Sequence, residues 1–311
     1  MSETSFTTGS ILGDAFGFAS GSFLGVIKVA WFPFVVGYGG LMALMLFMLQ
    51  PLALAYAGLF GSLGDPAATE AASNALLAAM TEVGFGTIGL AYLVMFVGGL
   101  LIYAIPMVAF AKMSAMDYKP RGPLYFKLGP KEIMVAIDYL IIIILASVVG
   151  MIIFLVPVGL IAAAAGQNSP VAGLVMIPMI FVLLYVMCGV FARFGLAFPI
   201  AAVEGGFGLR RAWGMSRGLG LKITNAIFLS FVIMYVMMMV AFIAFGVLSM
   251  PLSMAMGSGD TIGSPMMIVF GVVYALFNVI VYASMLAVSV GLFGRIYQKI
   301  KGNTAVAETF E

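Results

Sequence analysis

Four ionisable side chains stand at or just inside the apolar runs of this chain: Lys28, Asp138, Arg193 and Glu204. A charge beside hydrocarbon is costly and is a functional candidate by default. Asp138 falls about six residues into one run and Arg193 lies near the end of another. These two can meet at similar depth as a buried ion pair, or Arg193 can reach Glu204 past Pro199. Such groups serve either as a structural ion pair or snorkelling cations in the headgroup zone, or as a gate or lipid-headgroup site. The chain has no histidine. That removes the usual general base near neutral pH, the commonest metal ligand and the usual proton relay. The single cysteine, Cys188, sits in an apolar run and reads as inert packing. No charged residue lies near the centre of any run, where ion-coupled carriers place such groups. The central polar residues are mild: Ser147, Tyr185, Ser230, Tyr235, Asn278 and Tyr282. For Asn278 an interhelical hydrogen bond is expected ahead of a substrate contact. There are 25 methionines, with "MYVMMMV" at 234–240. Thioethers suit Cu(I), but without His or Cys beside them these read as packing. No catalytic group, cofactor or metal site is expected.

The densest cluster of charge and glycine is "EGGFGLRRAWGMSRGLGLKI", residues 204–223. It lacks the P-loop spacing, and Arg211 stands where a dinucleotide fingerprint needs its third glycine. Drawn as one helix from 209 to 223 at about 100° per residue, Leu209, Ala212, Trp213, Ser216, Leu219, Gly220 and Ile223 share a side. Arg210 and Arg217 flank the other side, as do Arg211 and Lys222. That is the pattern of an interfacial helix with cations toward headgroup phosphates. Arg210, Arg211, Trp213, Arg217 and Lys222 are therefore the candidate headgroup or interfacial residues. Gly214 and Gly218 form a small-xxx-small pair suited to close contact with another element.

These residues are carried by a chain of 311 residues that is 64% hydrophobic and 8% charged, with mean hydropathy +1.20. Soluble domains carry about 25% charged residues, so lipid is the solvent that suits this one. Crossing hydrocarbon takes about 20 apolar residues of helix. Six segments qualify, at about 23–49, 87–111, 133–165, 171–199, 226–250 and 265–293. The expected fold is an all-α, polytopic transmembrane bundle of six spans with short interfacial amphipathic helices, forming a single membrane domain over 1–311. The apolar stretch 51–60 is too short to cross alone, and Pro51 is expected to kink or end the first helix. Residues 71–80 read as a short external helix or a loop. The N-terminal "MSETSFTTGS" has no Lys or Arg, so no cleaved signal peptide is expected. Twelve of the fourteen basic residues fall in loops 112–132 and 200–225 and the tail, and Lys28 and Arg193 fall at the ends of the first and fourth spans on the same side. The alternate loops 51–86, 166–170 and 251–264 carry only Asp65, Glu70, Glu82 and Asp260. The positive-inside bias then places both termini in the cytoplasm.

Three stretches carry a resemblance. "SFTTGSILGDAFGFASGSF" (5–23) is similar to the amphipathic leading segment of bacterial six-span proteins related to the membrane domain of glycerophosphoryl diester phosphodiesterases and to YciC-like proteins. "ARFGLAFPIAAVEGGFGLRRAWGMSRGLGLKI" (192–223) resembles that family's pattern through Arg193, Pro199, Glu204, Trp213, Ser216 and Gly218, while Ala212 departs from the usual Ser. "RGPLYFKLGPKE" (121–132) resembles a loop of proteobacterial members. The resemblance implies a multi-pass protein of the bacterial inner membrane. It does not imply phosphodiesterase activity, which in that family belongs to a separate soluble barrel domain bearing histidine. The expected function is non-catalytic, with a basic cytoplasmic face that binds anionic lipid or a protein partner. The alternative is a permease or exporter for a small apolar or lipid-like substrate. No nucleic-acid partner is expected.

Overall fold

A computed structural model of the chain describes residues 7–62, 66–120, 124–165, 170–255 and 265–310. Among these residues the protein is helical, with no strand. The elements are α1 (Thr8–Gly21), α2 (Phe23–Phe32), a π-helical turn (Pro33–Tyr38), α3 (Gly39–Met48), α4 (Gln50–Gly61) and α5 (Pro66–Met116). There follow α6 (Pro130–Ala165), α7 (Pro170–Phe194), α8 (Ala197–Val203), α9 (Leu209–Met215), α10 (Gly220–Ala255) and α11 (Pro265–Phe310). Among the described residues six stretches are long and apolar enough to cross a membrane: Phe23–Met48, Pro66–Met116, Pro130–Leu155, Pro178–Val203, Gly220–Met250 and Val269–Gly302. The chain is a multi-pass membrane protein of the all-α class. The expected loops at 166–169 and 256–264 lie outside the described residues, as do Asp65, Arg121 and Asp260.

Local chemistry explains where the helices start and break. Thr7 and Ser10 cap α1 reciprocally, each side chain accepting from the other's backbone N–H. At the start of α6, Pro130 takes the first helical position and the Glu132 carboxylate accepts the Gly129 N–H at 3.0 Å. This carries the helix one turn beyond the expected start at 133. The first span widens into a π turn at Pro33, whose missing N–H disturbs the regular ladder. It breaks at Leu49 rather than at Pro51, because a proline in the first turn of α4 costs no hydrogen bond. Residues 71–80 are helical: α5 begins at Pro66 and bends at Gly84, whose φ of 76° is left-handed. Its first part packs on α4 through a small cluster of Leu49, Leu52, Ala79 and Ala91.

The main core surrounds the second half of α5, which is buried continuously from Ala104 to Ala111. The resembling segments "AIPMVAF" (104–110) and "AFPIAAV" (197–203) lie on α5 and α8, which pack on one another there. Lipid supplies no hydrophobic drive for helix–helix contact, so close approach and van der Waals packing hold the bundle. Gly294 of α11 packs on Ser114 of α5, and Gly195 packs on the Phe293 ring; neither site has room for a Cβ. The fourth span, expected to run unbroken to Pro199, stops at Phe194 and resumes as α8. Pro199 has no N–H for the Gly195 carbonyl, which takes the Phe198 N–H instead at 3.2 Å. The same core extends to α1, which lies on α11 and buries Ile11, Leu12, Ala15 and Phe18.

Candidate functional site at the basic end of the bundle

One end of the bundle gathers the charges. Glu204 follows the last turn of α8, and Gly205 and Gly206, both at positive φ, fold the chain back over it. Its carboxylate accepts from Arg211 and from the Tyr297 hydroxyl, and Lys301 Nζ donates at 3.2 Å. Partial burial pushes the Glu204 carboxyl up. The hydrogen bonds from Tyr297 and Lys301 and the charge of Arg211 outweigh that, so the net shift is below the ordinary carboxylate range. Nearby, Lys131 Nζ donates to the Val203 carbonyl at 2.7 Å. Lys299 pairs with Asp14 of α1, and Arg295 with Asp117 at 3.6 Å. The start of α6, the end of α8, α9, α1 and the end of α11 are thus tied together by charge. Tyr125 in the 124–129 loop is pushed up to about 12 by burial and then by Glu132.

The expected ion pair among Asp138, Arg193 and Glu204 does not form. Asp138 is fully buried and its Oδ2 accepts the Gly208 N–H at 3.1 Å. Its Oδ1 has no protein partner. Gly208 reaches that depth because it has no side chain: a Cβ there would stand 2.6 Å from the backbone of Ala197. Arg193 turns the other way. Its guanidinium lies over the Trp213 ring at 5.3 Å and its Nη1 donates to the Ser216 carbonyl at 3.5 Å. The Ser216 hydroxyl donates back to the Arg193 carbonyl at 3.3 Å, and Phe194 packs on Trp213 at 5.4 Å. Arg193, Trp213 and Ser216 therefore form one knot that holds α9 against the end of α7.

The single helix expected over 209–223 is also corrected. It stops at Met215, turns through 216–219, and α10 begins at Gly220. Gly218 makes the turn at φ 77°. Gly214 and Gly218 are thus not on one helix and form no packing pair. Arg210, Arg211, Trp213, Arg217 and Lys222 are all exposed, but Arg211 is engaged by Glu204 and Trp213 by Phe194 and Arg193. Asn278 bonds to Tyr274 of its own helix at 2.8 Å rather than across helices. An interhelical polar contact forms instead between the Tyr185 hydroxyl of α7 and the Asn225 side chain of α10, 2.7 Å apart.

Inward of the charged layer, a cavity of about 450 Å³ lies among α5, α6, α7, α8, α10 and α11. Its walls are apolar except for Tyr103, Tyr139, Tyr282, Ser230, Ser289 and Cys188. No sequence signal pointed to Tyr103 or Tyr139, because tyrosines in apolar runs are common and only the fold turns these two toward the same space. Among the described residues no three of His, Cys, Asp and Glu converge as a metal site would require. No family model, curated protein or solved structure matches the chain.

Proposed function

We propose that the protein is a non-catalytic component of the bacterial inner membrane, with both termini cytoplasmic, whose basic end engages anionic lipid headgroups or a protein partner. The observation that carries this reading is the gathering of Lys131, Arg211, Arg295, Lys299 and Lys301 at one end of a bundle whose span centres carry no charge. Basic residues near a membrane surface add about 1 kcal/mol each toward anionic lipid. Kinship with the glycerophosphoryl diester phosphodiesterase membrane domain is part of the proposal. Its support is that Arg193, Trp213 and Ser216 of the fingerprint meet in one knot. The test is the lipid and protein that remain bound through detergent purification. Enrichment of phosphatidylglycerol or cardiolipin over the bulk membrane, or a stoichiometric protein partner, is the expected result. Retained lipid of bulk composition and no partner would end the reading.

The alternative, a permease or exporter for an apolar or lipid-like substrate, is favoured by the 450 Å³ cavity, which is within the ~300–1,000 Å³ range of small-ligand sites. In proteoliposomes, movement of a labelled lipid that stops when Ser230→Phe fills the cavity is the outcome that reading requires. Unchanged movement in that variant would sink it.

A further inference from the structure

Apart from the Glu204 cluster, a second group of cations converges where α1 turns into α2. Lys28 of α2, Lys119 of the segment after α5, and Arg295 of α11 line a pocket of about 610 Å³ together with Ser20, Ser22 and Asp117. These cations come from elements remote in sequence, which is why the spacing of basic residues does not announce the pocket. Asp117 closes α5 at φ 50° and turns Tyr118–Pro120 into the pocket wall. It offsets part of the Arg295 charge at 3.6 Å. Lys28 and Lys119 are exposed and make no ion pair among the described residues. The pocket therefore presents two uncommitted cations and a third that is partly neutralised. Phe23, Leu24 and Met113 add an apolar part to its lining.

Ser20 and Phe23 also line a second space, an apolar slot of about 310 Å³ between α1, α10 and α11. The slot is walled by methionines and aliphatic side chains such as Met237, Met238 and Ala241 of α10 and Ile280 and Val288 of α11. Met234 and Met285 line both this slot and the inner cavity. A cationic pocket beside an apolar slot, the two sharing Ser20 and Phe23 as walls, matches the polarity of an amphiphile: an anionic head and one aliphatic chain. A free phosphate ester would use the pocket and leave the slot without purpose, whereas a phospholipid uses both.

We propose that this pocket and slot hold one anionic phospholipid, its phosphate between Lys28, Lys119 and Arg295 and one acyl chain between α1, α10 and α11. The proposal rests on the reading that the basic end engages anionic lipid, and it locates the site away from the exposed arginines of α9. Phosphate oxygens accept from the two ammonium groups and the guanidinium. The chain lies against methionines that repack to its shape.

The test titrates phosphatidylglycerol and phosphatidylcholine of identical chains into the detergent-solubilised full chain, read by native mass spectrometry. Phosphatidylglycerol is expected to bind preferentially. The double variant Lys28→Gln/Lys119→Gln is expected to lower its affinity about tenfold or more and to leave phosphatidylcholine unchanged. Ala241→Phe, which narrows the slot without touching the cations, is expected to weaken phosphatidylglycerol as well. If instead the preference survives the lysine pair and is lost in Arg210→Gln/Arg217→Gln, this site is wrong while the basic end still engages lipid. If phosphatidylglycerol is not preferred at all, this site is overturned together with the lipid arm of the proposed function, and the protein-partner arm stands. If millimolar glycerol phosphate displaces the lipid and Ala241→Phe has no effect, the pocket takes a soluble phosphate ester and the lipid assignment is overturned.

Discussion

At the residue scale, the charged groups were visible in the sequence but their partners were not. Asp138 and Arg193 lie at similar depth on neighbouring helices, which made a pair plausible. Which way each turns is decided by Gly208 and Trp213, residues that hydropathy treats as loop and interface. The Gly208 contact gives a sharp expectation. Gly208→Ala forces a methyl group into the Ala197 backbone and pulls the N–H away from Asp138. It should cost about 1–3 kcal/mol, read as a lower midpoint in detergent thermal melts. Glu204 gives another. Its carboxyl titrates below its ordinary value, so the ionised form is the one the fold favours. The stabilisation is complete above pH 4.5 and is lost as pH falls below that value through the folded range. Hydrogen exchange in α9 should accelerate with acidification over that window. Glu204→Gln should show fast exchange already at neutral pH and little further change on acidification.

At the element scale, span count and helix class were legible because an apolar run of about 20 residues has few other solutions. What hydropathy could not show is where a helix bends without ceasing to be apolar. The break before α8 depends on Pro199 and on the Phe293 ring against Gly195. The π turn depends on Pro33, and the corner before α10 on the left-handed Gly218. The two glycines near that corner had looked equivalent, and the structure separates them. Gly214 lies inside α9 with open space around it and φ outside the left-handed region, so Gly214→Ala should be neutral or stabilise by up to ~1 kcal/mol. Gly218→Ala places a side chain in the left-handed region and should cost about 1 kcal/mol. The order of the two melting midpoints decides whether the corner exists as described.

At the scale of the whole molecule, the clustering of Lys and Arg in alternate loops is read from the sequence by counting. The convergence of Lys28, Lys119 and Arg295 is not, since it depends on how α1 lies on α11 and where α5 ends. The charge asymmetry predicts the orientation. In a Cys188→Ala background, Ala68→Cys should react with an impermeant thiol reagent added outside intact spheroplasts, and Gly214→Cys only after lysis. The reverse pattern would invert the topology. The clasp of α1 on α11 also bears on biogenesis. Ile11, Leu12, Ala15 and Phe18 of α1 are made well before α11, which covers them and whose Lys299 reaches back to Asp14. During synthesis α1 must wait with its apolar face uncovered, or resting in the headgroups, until α11 emerges. The clasp of α1 then closes only after α11 is made, and a polypeptide halted before α11 should leave α1 open to protease.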